Sequence, residues 1–377
     1  MNLFETLKAA DAAMIALLSL LIWVYLFFAH GKFWRSAPQL PPATPQEHPD
    51  VDIVVPARDE AHTIGPAIGS LLAQDYGGRF RVILVDDNST DGTASLVGTA
   101  TNLTIISLQS KPVDWSGKLW ALSQGVAASH APVLLFTDAD IVHDPRHLSS
   151  LVAKLLQPGL GLVSEMVRLN CTSLAERALV PAFVYFFQML YPFSRVNDPR
   201  SSVAAAAGGT VLIRREALER SGGMDAIRNS LIDDVALATA VKKSGSIFLG
   251  HSGLAASIRP YAHFADIWRM ISRTAFTQLR HSAALLALTL LALTLVWLVP
   301  AAAVLFGHGW QLAFGLIAFG LSAFSYQPTL ARYGRNRLWA LALPLIALFY
   351  MAATFGSALN HWRGRGARWK SRAYGTG

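Results

Sequence analysis

Residues 12–29, AAMIALLSLLIWVYLFFA, run for eighteen positions without a charge, and this run constrains the chain more than any other. At 1.5 Å per helical residue it nearly matches a hydrocarbon core of about 30 Å, so it reads as a membrane-spanning helix. Glu5 and Asp11 precede it, Lys32 and Arg35 come after it, and no small-residue cleavage site is evident, which favours a retained anchor over a signal peptide. The positive-inside rule then puts the polar middle of the chain on the cytoplasmic side. Three further apolar runs, 283–306, 310–327 and 338–359, lie near the other end. The first two are separated only by Gly307, His308 and Gly309, like a hairpin. Three spans here leave the basic ending WRGRGARWKSR on the far side, against the charge rule, so either the segment carrying Pro344 does not fully cross or the tail is interfacial. Residues 181–193 (PAFVYFFQMLYPF) are too short to span; their Tyr185 and Tyr191 suit the headgroup level, and an ordinary buried core helix is the alternative.

The composition agrees, with 53% hydrophobic and only 15% charged residues, too apolar for a purely soluble protein. The net charge of +8 comes mainly from residues beside apolar segments and in the tail, a placement that suits anionic lipid headgroups. No zinc knuckle or basic helix supports a nucleic-acid partner. Cys171 is alone, which excludes an intrachain disulfide.

Between the apolar ends the pattern changes. VDIVV, a helix near 63–74, RVILVDD, a helix opening at Asp91, a strand over 103–107, a helix around 119–129 and the strand VLLFTD at 133–138 alternate as in an α/β parallel sheet. Ligands of such sheets bind at the carboxyl ends of the strands, and the polar clusters fall there. They are Pro56-Ala57-Arg58-Asp59-Glu60, then Asp86 and Asp87 with Asn88 to Gly92, then Thr137-Asp138-Ala139-Asp140. Carboxylates at the first two can accept hydrogen bonds from a base and a ribose, although Asp91 by itself reads as a helix cap. No G-x-G-x-x-G comes after the first strand, which argues against a dinucleotide site. The third cluster again ends an apolar strand, where side chains i and i+2 lie on one face, so Asp138 and Asp140 can converge on one hard cation, Mg²⁺ or Mn²⁺, with diphosphate and water completing the shell.

VDIVVPARDE, ILVDDNSTDGT, SGKLWALSQG and FTDAD, in this order, resemble the family 2 inverting glycosyltransferases of GT-A fold. The likeness continues through AAAAGGTVLIRREALERSGGM (204–224) and LIDDVALA (231–238), covering roughly 50–282. The flanking helices and the WRGRGARWKSRAY ending look most like the hopanoid-associated membrane-bound members. The resemblance implies a Rossmann-like nucleotide-sugar domain at 50–282, which the apolar runs and charges flank with an anchor at 1–35, transmembrane helices within 283–360 and a basic tail at 361–377. It implies donor contacts from Pro56, Glu60, Asp86, Asp87, Lys118 and Asp138, and a metal on Asp138 and Asp140. Asp234 would be the catalytic base, because inversion by direct displacement needs a carboxylate to take the acceptor proton, and the adjacent Asp233 would raise its pKa by repulsion. The family usually has Glu where Asp233 stands.

Gly208, Gly209, Asp233, Arg273, Gln278 and Arg280 are candidate acceptor or phosphate contacts. The Q-x-x-R-W segment of many processive relatives is broken: from Gln278, His281 and Ser282 stand where Arg and Trp belong. The expected partners are therefore a nucleotide-sugar donor (a UDP-sugar first), a membrane lipid acceptor (a hopanoid or other polyisoprenoid alcohol) and the bilayer. The expected location is the cell inner membrane, multi-pass, with the catalytic domain cytoplasmic. A processive polysaccharide synthase and a non-catalytic scaffold that keeps the nucleotide-sugar fold are the alternatives.

Overall fold

The computed structural model describes residues 3–35 and 38–364, with the backbone of 368–369 and 372–373. The chain opens with α1 (Leu3–Phe28), β1 (Val51–Ala57), α2 (Ile64–Leu72), β2 (Phe80–Asp86) and β3 (Leu103–Ser107). It continues through α3 (Gly117–Ala127), β4 (Val133–Phe136), β5 (Ile141–His143), α4 (His147–Leu155), β6 (Leu160–Arg168), α5 (Leu174–Leu190) and α6 (Phe193–Val196). Then come β7 (Val211–Arg214), α7 (Arg215–Arg220), α8 (Asp233–Lys242), β8 (Ser246–Ser257) and α9 (Phe264–Gln278). The last helices are α10 (Ala283–Leu293), α11 (Val299–Phe306), α12 (Gly309–Arg332) and α13 (Leu343–Trp362).

Two compact units form. One comprises Ala37–Asn170 and Phe193–Pro260 and holds a single eight-stranded sheet in the order β3-β2-β1-β4-β7-β6-β8-β5. The strands β3, β2, β1 and β4 run parallel, and β7 is antiparallel to both β4 and β6. β1 and β2 are rich in Val and Ile because a parallel sheet is covered on both faces: Ile53, Val54, Val55, Ile83, Leu84 and Val85 are all fully buried. The charge in β1, Asp52, is tolerated because the register sets Arg81 of β2 directly opposite. Arg81 donates to both carboxylate oxygens at 3.1 and 2.8 Å, and although burial pushes the Asp52 carboxyl up, Arg81 and Ser129 hold it below its ordinary value. On the helical side, α3 approaches β1 so closely at Gly125 that a Cβ there would overlap Val54 Cγ1.

The sequence order β1-β2-β3 fills one side of β1, and the chain then returns to place β4 on the other. This is a topological switch point, where α/β sheets open a crevice. The β1–β4 ladder ends at Val54 and Phe136, two residues before Pro56, whose missing N–H suits a place beyond that ladder.

Several expectations change. No α-helix opens at Asp91: only a four-residue 3₁₀ helix, Thr93–Leu96, forms there, with the Asp91 carboxylate accepting from the Thr93 and Ala61 backbone N–H groups. The strand expected over 133–138 ends at Phe136, and Ala139 and Asp140 lie in a turn. The expected span 50–282 divides, since Cys171–Pro192 and Tyr261–Arg365 cluster with Met1–Ser36 in the second, helical unit.

In that unit three helices among the described residues are long and apolar enough to cross a membrane: Ala10–Phe28, Ala283–Phe306 and Arg337–Trp362. The run at 310–327 does form part of a 24-residue helix, α12, but is not among them. It carries Ser322, Ser325, Tyr326 and Thr329 on a buried face, where Ser325 Oγ lies 2.5 Å from the Tyr185 hydroxyl. Residues 181–190 are the second half of α5, which starts at a capping box formed by Ser173 and Glu176 and carries Pro181 inside it rather than at its edge. Tyr185 is fully buried among Phe33, Trp297 and Tyr326, which is the packing of a core helix. Tyr191 is half-buried and its hydroxyl accepts from Gln278 Nε2 at 2.6 Å. The expected basic tail lies, beyond residue 364, outside the described residues apart from a two-residue antiparallel pairing of 368–369 with 372–373.

Candidate active site

The crevice beyond the ends of β1 and β4 is lined by Pro56, Lys118, Thr137, Asp138, Gly208, Asp233 and Asp234. They arrive on several elements. Lys118 stands in the first turn of α3, a helix capped by Ser116, whose Oγ accepts from the Leu119 N–H. Asp138 comes just after β4, and Asp233 and Asp234 open α8, where carboxylates suit the positive end of the helix dipole.

Lys118 Nζ is the hub, 3.0 Å from Asp138 Oδ1 and 3.0 Å from Asp233 Oδ2. Burial alone would pull the ammonium down, but Asp138, Asp233 and Asp234 together hold it well above its ordinary value, so it is a fixed positive charge. Three carboxylates around one ammonium leave a surplus of negative charge, and Asp234 absorbs it. Burial and the charge on Asp233 push its carboxyl up to about 7, against the opposing pull of Lys118 and two backbone N–H groups. Those groups are Gly208 N–H, donating to Oδ2 at 2.8 Å, and Val235 N–H, donating to Oδ1 at 2.8 Å. A Cβ at Gly208 would stand 3.2 Å from Lys118 Nζ and 3.4 Å from Asp234 Oδ2, crowding both groups. The result is a held carboxyl that changes protonation near neutrality, the property of a general base.

Asp138 and Asp140 do not share a strand face, because the strand ends before them and the backbone turns. Asp138 takes Lys118, whereas Asp140 Oδ2 accepts from Arg259 Nε at 2.8 Å and Ser257 Oγ at 3.1 Å. They are still electrically close. Burial raises the Asp138 carboxyl, Lys118 opposes this, and the charge of Asp140 adds to the rise. Two hard oxygen donors that repel each other suit a divalent cation whose shell is completed by phosphate and water. No cluster of three or more His, Cys, Asp or Glu able to hold a metal by itself occurs among the described residues.

Other expected donor residues are at hand but otherwise engaged. Asp86 accepts from Ser89 N–H at 3.3 Å and from the Ser89 hydroxyl, closing the turn after β2, while Asp87 is fully buried with Arg58 3.6 Å away. Glu60 Oε1 is 2.6 Å from Arg259 Nη2. The two loops carrying them are laced together by Asp59 N–H to Ser89 Oγ at 3.0 Å and Thr90 N–H to Asp59 Oδ1 at 2.9 Å. Gly209 offers its carbonyl to the Thr137 hydroxyl at 2.8 Å. Arg273, Gln278 and Arg280 belong to α9 and the turn after it, in the helical unit.

Two features escape sequence reasoning. Arg259 comes just after β8, and only the antiparallel pairing of Ser257 with Ile141 brings it beside Asp140 across 119 positions. Beneath the 137–140 turn, Thr137 Oγ1 is 3.1 Å from His143 Nε2, His143 Nδ1 is 2.8 Å from His147 Nδ1, and His147 Nε2 is 2.8 Å from Glu165 Oε2. Burial and His147 hold the His143 imidazole well below its ordinary value, so it is neutral. The only sequence signal for it is two histidines four apart beside the acidic turn.

Residues 52–222 match the family model for glycosyl transferase family 2. That match takes in a little under half of the chain. A stretch of 118 residues is 30% identical to an N-acetylglucosaminyltransferase of Bradyrhizobium elkanii, covering 30% of this chain and 63% of that protein. Another of 126 residues is 29% identical to a dodecaprenyl-phosphate galacturonate synthase of Rhizobium johnstonii, covering 32% of this chain and 36% of that protein. The chain thus spans less than two thirds of the length of these curated relatives. Among solved structures, the mannosyltransferase PcManGT from Pyrobaculum calidifontis, in complex with GDP-Man and Mn²⁺, superposes with a TM-score of 0.58 at 21% identity. The match covers 96% of this chain and 100% of that one. The fold is the GT-A one, a mixed α/β Rossmann-like sheet with flanking helices.

Proposed function

We propose that this chain is an inverting glycosyltransferase that moves a sugar from a nucleotide-sugar to the hydroxyl or phosphate of a membrane lipid. The observation that carries the reading is the held carboxyl of Asp234, raised to about 7 and set beside Lys118 at the crevice of the GT-A sheet. Asp234 takes the proton of the acceptor as the acceptor oxygen bonds to the anomeric carbon, while the bond from that carbon to the diphosphate breaks. Gly208 and Val235 N–H groups fix the carboxylate at the crevice. Lys118 is placed to exchange Asp138 for diphosphate oxygens, and Asp86, Asp87 and Glu60 lie at strand ends suited to the nucleoside and ribose. A divalent cation held by Asp138 and Asp140 would offset charge on the departing diphosphate.

The lipid acceptor is supported by the three apolar helices, by the dodecaprenyl phosphate in one relative's name, and by the 4,4'-diaponeurosporenoate glycosyltransferase of Staphylococcus aureus, 26% identical over 200 residues. Within lipids, the polyisoprenoid class fits best, a hopanoid among them. We read the chain as an inner-membrane protein with its sheet unit cytoplasmic, because Lys32 and Arg35 follow the first apolar run. Detergent-solubilised protein incubated with labelled nucleotide-sugars and total lipid extract tests the reading: label should enter a small lipid, and label in a polymer, or none transferred, would refute it.

A further inference from the structure

Arg259 bridges two carboxylates beside the acidic turn at 137–140. Its Nε donates to Asp140 Oδ2 at 2.8 Å and its Nη2 to Glu60 Oε1 at 2.6 Å, and Ser257 Oγ donates to the same Asp140 oxygen at 3.1 Å. Asp140 and Glu60 are only 7% and 9% exposed, so the guanidinium, rather than bulk water, balances them. One planar group that reaches two carboxylates with charge-assisted bonds is held more firmly than a surface pair. Its position is fixed by the chain, because Ile258 N–H donates to the Asp140 carbonyl at 2.9 Å.

A divalent cation requires oxygens at roughly 2.0 to 2.6 Å, and a guanidinium bonded to one of those oxygens opposes it both by charge and by filling its approach. We infer that Arg259 is a built-in competitor for the metal: without donor it holds Asp140, and metal binding is an exchange in which Arg259 gives Asp140 up. The inference rests on reading Asp138 and Asp140 as the metal carboxylates. Charge decides when the exchange runs. Lys118 and Arg259 each already bond one of the two metal carboxylates, so a dication arriving alone must part Arg259 from Asp140 with no new acceptor for the guanidinium. Arriving with a nucleoside diphosphate, it brings its own anion, and the released guanidinium finds phosphate oxygens as new acceptors. Metal occupancy is thereby made conditional on nucleotide.

Manganese binding to the full chain in detergent, monitored by the electron paramagnetic resonance of free Mn²⁺ with and without an equimolar mixture of UDP and GDP, tests this. The wild type should bind Mn²⁺ weakly alone and tightly with nucleotide. Arg259→Met should bind Mn²⁺ alone about tenfold more tightly, the scale of one charge-assisted hydrogen bond, and gain correspondingly less from nucleotide. Arg259→Lys, which keeps the charge but loses the two-pronged hold, should fall between, and it serves if the methionine variant does not fold. If all three proteins bind Mn²⁺ alone equally while nucleotide still promotes binding, the competitor role is wrong and the metal site stands. If none binds Mn²⁺ even with nucleotide, the metal site and the competitor role fall together.

Discussion

At the scale of single residues, the site is a problem of charge placement. Asp234 differs from Asp233 although the two are neighbours in sequence, because Asp233 has Lys118 at 3.0 Å while Asp234 has only backbone donors. Asp234→Asn should therefore lower sugar transfer by about 10²- to 10⁴-fold and leave nucleotide binding intact; wild-type turnover in that variant would remove Asp234 from its role. In the wild type kcat/KM should rise through pH 7 as the carboxyl ionises, and a profile that is flat from pH 6 to 8 would contradict this. The same shift has a cost to stability. A carboxyl raised from its unfolded value of 3.8 to about 7 binds more protons folded than unfolded between those values, so its contribution falls as pH rises through that window. Asp234→Asn should consequently raise Tm more at pH 8 than at pH 5, as measured by calorimetry. Asp140→Asn should weaken Mn²⁺ binding in the presence of nucleotide by at least about tenfold, the scale seen when even an outer-sphere partner is lost; unchanged affinity would take Asp140 out of the metal site. Asp138, Lys118 and Asp234 are legible as sequence motifs because each sits at an element boundary marked by a change of pattern. Arg259 is not, since its place depends on a strand pairing that no local pattern announces.

At the scale of elements, α3 is the piece that sets Lys118, and its distance from β1 is set by Gly125. Gly125→Ala should force α3 outward at a cost of about 1 to 3 kcal/mol, read as a lower denaturation midpoint together with weaker nucleotide binding; an unchanged midpoint would mean that the helix has room to spare. The strands β1 to β3 are readable from their Val and Ile runs. The end of β4 is misread by two residues because Thr137 and Asp138 follow the apolar run with no Gly or Pro to mark where it stops. Those two residues decide whether the acidic pair faces one cation or two, so a small error in an element's boundary becomes a large one in its chemistry. Likewise Pro181 suggests a helix boundary, whereas the capping box at Ser173 and Glu176 starts α5 early enough to carry the chain through it.

At the scale of the whole molecule, the apolar helices predict that the protein stays with membranes after alkaline extraction. Sidedness can be read through the lone cysteine: in a Cys171→Ser background, Lys243→Cys on the exposed turn after α8 should resist a membrane-impermeant maleimide in intact cells and react after lysis. Reaction in intact cells would place the sheet unit outside. The length of an apolar run is enough to foresee three helices of spanning character. It overrates α12, whose serines, tyrosine and threonine are polar groups that only a folded helical unit can satisfy.

The seam between α5 and α12 also has a meaning in time. Tyr185 meets Ser325 across 140 positions, and Ser19 on α1 donates to the carbonyl of Leu295 across 276, so the early helices are translated long before the partners that complete them. The helical unit cannot be finished until the ribosome has already delivered every strand of the sheet. A nascent chain halted before α12 would therefore carry every strand of the sheet beside an unfinished helical unit, which is complete only once α12 and then α13, whose Tyr350 hydroxyl donates to the Leu179 carbonyl of α5, have been delivered.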